Sequence, residues 1–334
     1  MESILVTGGA GNIGSALVRA LVKRPATEVI VADNLLTGSV EKIKLNACNL
    51  AFIKCDVNDF DDISSLFYRF RFTHVFHFAA VVGVQRTLAN PLLVLRDITG
   101  IENVLRLCKN TGVKRIYFSS SSEVYGEPFE IPQNESTTPL NSRLPYAVVK
   151  NLGEVYLRTF QREFGLPYTI FRFFNTYGPG QALSNPYTGV AAIFASRLMN
   201  NTAPLVFEDG HQSRDFVHVY DVVAGLVAAL ETENADYQAI NLGSGQATTI
   251  VNVAQKLASD LGVTIAPQIT GKYRKGDIRH CYADITKASE LLGYSPTVAL
   301  EDGIRDLVGW VGTQVARDGV DAATIELAER GLTT

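Results

Sequence analysis

The 334-residue chain is expected to adopt an α/β fold: a doubly wound parallel sheet joined to a smaller mixed α/β lobe. Two observations carry this expectation. Over residues 1–175 short β-branched runs alternate with amphipathic helical segments, a pattern that needs a parallel sheet covered on both faces. The first such run breaks into glycines that open a helix, and a later run ends in four serines, where open α/β sheets bind their ligands.

Taken in order, Ile4-Leu5-Val6-Thr7 is an apolar strand that breaks at Gly8-Gly9-Ala10-Gly11. Ile13, Ala16, Leu17, Ala20 and Leu21 then recur at helical spacing, and Pro25 closes that helix. Glu28 to Ala32 is a second strand ending at Asp33, and Ala51 to Cys55 a third ending at Asp56. A helix near 60–68, a strand from Thr73 to Phe78 and a helix over roughly 91–110 follow. Lys114 to Phe118 forms the strand that runs into Ser119-Ser120-Ser121-Ser122. A long helix to Phe164 stops at Gly165-Leu166-Pro167, and Tyr168 to Phe173 makes a sixth strand.

Past Asn175 the pattern changes. Strands become short (Leu205 to Phe207, Phe216 to Val219, Ala239 to Leu242), with helices near 189–200, 221–231, 250–261 and 286–292. Residues 176–315 are therefore read as the smaller lobe, some of its elements crossing back to the 1–175 domain, with 316–334 as an unassigned tail. Gly243-Ser244-Gly245 is read as a structural loop before the helix-capping pair Thr248-Thr249.

Composition sets limits. The chain is 46% hydrophobic and 19% charged, with net charge −4, so it carries ample core material and no electrostatic footprint for nucleic acid or an anionic membrane. Cys48, Cys55, Cys108 and Cys281 show no CxxC spacing, and the five histidines show no metal spacing; free thiols and no metal are expected. The chain enters a strand at once, without a basic and apolar leader, so a cytoplasmic location is expected.

Gly8, Gly11 and Gly14 sit between strand and helix, the spacing of a dinucleotide loop. It needs a tight turn, close backbone approach to a pyrophosphate, and close helix–strand packing, with Asn12 and Ile13 at the helix N-terminus facing the phosphates. Asp33, 19 residues past Gly14, would accept from the adenosine ribose hydroxyls. Its charge, and the lack of an arginine in Asn34-Leu35-Leu36, favour NAD over NADP. Asp56 and Val57 either meet the adenine or form an ordinary strand-end turn. The fold is then of the Rossmann type. Tyr146 and Lys150 are four apart on one helix face, so a phenol, an ammonium, the serines and Glu123 can converge on one cleft.

With Gly8/Gly11/Gly14, Asp33 and Tyr146-xxx-Lys150 in place, the sequence resembles the extended short-chain dehydrogenase/reductase family, and within it the nucleotide-sugar epimerases and dehydratases. His77-Phe78-Ala79-Ala80 is similar to the family's fourth-strand motif beside the cofactor. Arg172 to Pro179, Arg214 to Val219 and Gly276 to His280 resemble its nucleotide-sugar motifs. The resemblance implies that Tyr146 is the base and that Lys150 holds the nicotinamide ribose and lowers the tyrosine pKa. It implies that Ser121 bonds the reacting hydroxyl, with Ser119 and Ser120 serving backbone groups and Ser122 beside the sugar. It further implies Asn175, Arg214 and Arg274 on the diphosphate, Asp277 on the nucleotide ribose, Val206 and Phe207 near the base, and a homodimer through the helices near 91–110 and 145–164.

The reaction class turns on two features that point in different directions. Glu123 resembles the glutamate of 4,6-dehydratases and uronic-acid decarboxylases, or is a hydrogen-bonded carboxylate under the cofactor. The segment through Cys281 resembles UDP-hexose 4-epimerases, and a small residue there would leave room for an N-acetyl group. The balance favours a UDP-sugar 4-epimerase (UDP-GlcNAc, UDP-glucose or UDP-glucuronate), ahead of a Glu123-dependent dehydratase or decarboxylase. A reductase stands third, and a non-catalytic dinucleotide sensor is a remote alternative.

Overall fold

The computed structural model describes residues 2–44, 46–82, 90–181, 189–272 and 278–313. Seven parallel strands form one sheet: β1 (Glu2–Thr7), β2 (Thr27–Asp33), β3 (Leu50–Lys54), β4 (His74–His77), β5 (Arg115–Ser121), β6 (Tyr168–Phe173) and, later in the chain, Gln238–Leu242. The lobe adds β7 (Asn175–Tyr177), β8 (Leu205–Val206), β9 (Ser213–Arg214) and β10 (Phe216–His218), which makes Gln238–Leu242 β11; β12 (Thr248–Thr249), β13 (Gln268–Ile269) and β14 (His280–Cys281) complete the strands. The spatial order is β11-β6-β5-β4-β1-β2-β3. From β1 the chain builds outward through β2 and β3, then crosses to the other side of β1 for β4. The strand order therefore switches between β1 and β4, the place where open α/β sheets leave a crevice at their carboxyl ends.

Each face of the sheet buries one apolar cluster. On one side lie α1 (Asn12–Leu21) and the helix Val219–Leu230; on the other lie α2 (Phe60–Phe70), α3 (Pro91–Leu95), α4 (Asp97–Thr111) and α5 (Pro145–Phe164). A third cluster joins α6 (Val190–Met199) to the helices Ile250–Asp260 and Leu300–Gly312 in the lobe. Local chemistry sets several boundaries. Asp59 accepts from Asp61 N and Asp62 N at the start of α2, Pro145 opens α5, and Gly165 at φ +70° closes it.

The structure differs from the sequence reading in three places. The helix expected over 91–110 is two helices that meet at Arg96. The strand at 239–242 is not a lobe strand: it pairs with β6 and forms the sheet edge, and Val219–Leu230 packs against α1. β9, β12, β13 and β14, each two residues long, and the helix Leu300–Gly312 were not anticipated; a two-residue pairing has no periodicity to read. Arg274, Asp277 and the tail at 316–334 lie outside the described residues. No helix among the described residues is long and apolar enough to cross a membrane.

Candidate active site

β5 lies between β4 and β6, so its serines end inside the sheet. Ser121 caps the turn Ser122–Tyr125, its Oγ accepting from Glu123 N at 3.2 Å. Across from it α5 carries Tyr146, Lys150 and Glu154 on one face, four residues apart. Gly153 is what lets this helix close on β5: a Cβ there would sit 2.4 Å from the Phe118 ring.

Lys150 is 4% exposed and donates to Ser119 Oγ at 3.1 Å, while Ser119 donates to His77 O at 3.3 Å. Its Nζ lies 5.1 Å from the Phe118 ring centre and 5.6 Å from that of Tyr146. The Tyr146 hydroxyl is hydrogen-bonded to Ser121. Burial lowers the Lys150 pKa to about 8, opposed by the Asp97 carboxylate. The expected lowering of the Tyr146 pKa does not come from the protein alone. Burial raises it, Glu123 and Asp97 raise it further, and only the bond to Ser121 pulls the other way. Sequence could not weigh this, because the depth of the phenol is a tertiary property.

The serines divide the work differently from expectation. Ser119 bonds Lys150 as well as a backbone carbonyl. Ser120 donates to Glu154 Oε1 at 2.6 Å and so joins a buried network instead of a backbone group. Ser122 is buried and bonded to the Cys281 thiol.

One cleft of about 370 Å³ runs from this cluster to the glycine turn. Its walls include Gly8, Gly11, Asn12, Ile13, Gly14, Asp33, Asn34, Asp56, Val57, Phe78, Ala79, Ala80, Tyr146 and Lys150. These residues fit a dinucleotide. Gly8 has φ +68°, and a Cβ on it would lie 2.6 Å from Ala79 N. A Cβ on Gly14 would lie 2.4 Å from Gly8 O. α1 begins without a side-chain cap, leaving its N-terminal N–H groups for an anion, and the buried Asn12 Oδ1 has no hydrogen-bond partner. Asp33 is aimed by Ala10 N (3.0 Å) and Leu35 N (2.8 Å). Asp33→Ser is expected to weaken NAD about 10- to 100-fold, the worth of a charge-assisted bond, while leaving NADP affinity the same or better. Calorimetric titration with both cofactors checks this.

The substrate residues of the sequence reading are less uniformly placed. Cys281 on β14 is in register with Arg214 on β9. Arg214 Nη1 donates to Ser213 O at 2.9 Å and Arg279 O at 3.1 Å. Asn175 opens β7, its N–H bonded to Asp215 O. Val206 ends β8 with its side chain fully buried in the lobe core, and Phe207 just beyond it is half-buried. Cys281 is also buried, packed under Ser122 and Gln133, with burial pushing its thiol up to about 12. Asp215, whose carboxylate binds Ser244 N, Ser244 Oγ, Gly245 N and Ala283 N, ties the 243–245 loop to the substrate strands. Among the described residues no metal-binding group of His, Cys, Asp or Glu forms.

Sequence reasoning missed Asp97, Lys42, Thr176 and Gln181, all in the cleft wall. Thr176 follows Asn175 within the segment Arg172 to Pro179, whereas Asp97, Lys42 and Gln181 stand in no motif and arrive there through packing of separate elements.

Residues 4–243 match the model of the NAD dependent epimerase/dehydratase family. A putative UDP-glucose 4-epimerase of Methanocaldococcus jannaschii is 34% identical over 310 residues, 92% of this chain and 98% of that protein. The crystal structure of Thermotoga maritima UDP-glucose 4-epimerase with UDP-glucose superposes with TM-score 0.86 at 36% identity, covering 93% of this chain and 99% of that one. UDP-glucuronic acid decarboxylase 6 of Arabidopsis thaliana is 33% identical over 311 residues, 90% of this chain and 86% of that protein.

Proposed function

The chain belongs to the NAD dependent epimerase/dehydratase family, and from that premise we propose that it is an NAD-dependent nucleotide-sugar epimerase, inverting C4 of a UDP-hexose through a transient 4-keto sugar. The observation that carries this is the convergence of Ser121, Tyr146 and Lys150 at one end of a cleft whose other end is the glycine turn and Asp33.

Tyr146 takes the proton of the 4-hydroxyl while Ser121 orients that hydroxyl and the phenolate. Lys150, fixed by Ser119, holds the nicotinamide ribose and supplies a cation next to the phenol. When bound, NAD accepts the C4 hydride, returns it, and adds its own positive charge to a site where burial otherwise keeps Tyr146 protonated. Turning the 4-keto sugar before the hydride and proton return inverts C4 with no net redox change. Asn175 and Arg214, with Arg274, hold the diphosphate, the guanidiniums by permanent charge and fork geometry, and Asp277 accepts from the nucleotide ribose. Residues 1–175, with 219–242 returned to them, form the cofactor body, and the rest of the lobe supplies the substrate side. The exposed apolar residues Leu92 and Leu95 on α3 and Val148 and Val155 on α5 support a homodimer through these helices. The enzyme is read as cytoplasmic.

Incubation with UDP-glucose, UDP-GlcNAc and UDP-glucuronate, with products identified by NMR, tests the assignment: a C4 epimer is expected. A 4-keto-6-deoxy sugar or a pentose would replace this reading with the dehydratase or decarboxylase one. That second reading is favoured by Glu123, whose charge acts on Tyr146. Glu123→Gln is expected to keep turnover within about tenfold, below the effect of losing an essential acid or base. Loss of all turnover in a folded variant would give Glu123 the chemistry and displace the epimerase reading.

A further inference from the structure

Lys150 is buried, and no carboxylate among the described residues forms a direct ion pair with it. Its neighbours show what sustains its charge. From β5 come Ser119 Oγ and the Phe118 ring; from α5 come Tyr146 and, one turn on, Glu154, which is already bonded to Arg172, Arg158 and Ser120. From β4 comes His77, fully buried and held neutral, its pKa lowered to about 3 by burial and by Lys150. Glu123 follows β5, and Arg96 and Asp56 line the same cleft. Asp33 and Lys42 line the cleft as well, and Asp97, at the start of α4, lies on the wall with Lys150 and Tyr146.

Asp97 is held in place rather than solvated. It is 7% exposed; Oδ2 accepts from Val81 N at 2.7 Å, and the Asn58 amide, itself anchored on Gly100 N at 3.0 Å, bonds the same carboxylate. Burial raises the Asp97 pKa, while the Val81 N–H, the Lys150 ammonium and the Asn58 amide favour its charged form; ionised, it sets a negative field across the cleft.

We propose that Asp97 is a positioning residue for the reaction, a fixed anion that keeps the Lys150 ammonium charged inside the cleft and, by the same field, holds back ionisation of Tyr146. Both effects have one sign: Asp97 raises the pKa of Lys150 and of Tyr146 together. Its removal therefore moves both titrations toward acid. The inference rests on Tyr146 and Lys150 being the reacting pair.

The test is the pH profile of kcat/KM at saturating NAD for wild type, Asp97→Asn, Asn58→Ala and Tyr146→Phe. Asp97→Asn keeps shape and an acceptor for Val81 N while losing the charge. Asn58→Ala removes one of the same hydrogen bonds and keeps the charge. The two limbs report the coupled Tyr146–Lys150 pair. For Asp97→Asn both limbs are expected to move down by about one pH unit, so that activity is retained or gained near pH 6 and lost near pH 8. For Asn58→Ala the limbs stay within about 0.3 unit of wild type, whatever the change in amplitude. A profile for Asp97→Asn that falls in amplitude without moving, or moves no more than that of Asn58→Ala, overturns the proposal. Retained turnover in Tyr146→Phe would instead overturn the assignment of the reacting pair on which it rests.

Discussion

Tyr146→Phe is expected to lower kcat about 10³-fold, within the range for removal of a general base, while NAD affinity and melting temperature stay close to wild type. The variant removes one hydroxyl. That hydroxyl is bonded to Ser121 and is the one described phenol on the cleft wall beside Lys150. The ring remains to fill its place against the apolar cluster of that face. Binding should persist, because the glycine turn, Asp33 and Lys150 are untouched. Stopped-flow or steady-state turnover, with calorimetry for NAD, separates the two effects. A loss of binding parallel to the loss of turnover would make Tyr146 a cofactor contact rather than the base.

Arg172→Met is expected to cost about 3–5 kcal/mol of stability, the range for breaking a buried pair by removing one partner. In a chain of 334 residues this corresponds to a fall in melting temperature of roughly 5 °C. Arg172 on β6 is 2% exposed and grips Glu154 with two bonds, Nε to Oε1 at 2.9 Å and Nη2 to Oε2 at 2.8 Å. Burial opposes the Glu154 charge, but the bonds to Arg172 outweigh it and hold the carboxyl below its usual range. Nη1 also donates to Tyr125 Oη at 2.8 Å, and Tyr125 donates to Asn241 Oδ1 at 2.8 Å. The chain Ser120–Glu154–Arg172–Tyr125–Asn241 thus links the serine strand, the catalytic helix and the sheet edge. Without the guanidinium, Glu154 is left fully buried with Ser120 and the half-exposed Arg158. The double variant Arg172→Met/Glu154→Leu should melt above the single one, since it removes the uncompensated charge. A double variant less stable than the single would show that the pair contributes through something other than mutual compensation.

The first half of the molecule was legible because its signals are local. Gly8 and Gly14 are demanded by backbone atoms 2.4–2.6 Å from where a Cβ would sit, and a Cβ on Gly11 would lie 3.0 Å from Gly8 O. Asp33 ends a strand whose burial is visible as a β-branched run. Tyr146 and Lys150 share a face through helical spacing alone. What stayed hidden depends on contacts between distant segments. Gln238–Leu242 looks like any short strand, and only its pairing with β6 makes it the sheet edge. Asp97 follows Arg96 with no motif around it, yet the junction of α3 and α4 turns it into the cleft. Val206 and Phe207 read alike as apolar residues of one strand, but β8 ends at Val206, which is buried, and leaves Phe207 half-buried beyond it. The high Tyr146 pKa belongs to the same group: depth of burial is not written in residue order.

The central claim is that hydride leaves C4 and returns to the same carbon within one active site. UDP-glucose deuterated at C4, incubated with the enzyme and NAD and read by NMR, tests it directly. A C4 epimer that keeps its deuterium is expected, with no reduced cofactor accumulating. An epimer whose C4 deuterium has exchanged for solvent hydrogen, or one formed with the label elsewhere in the ring, would contradict it.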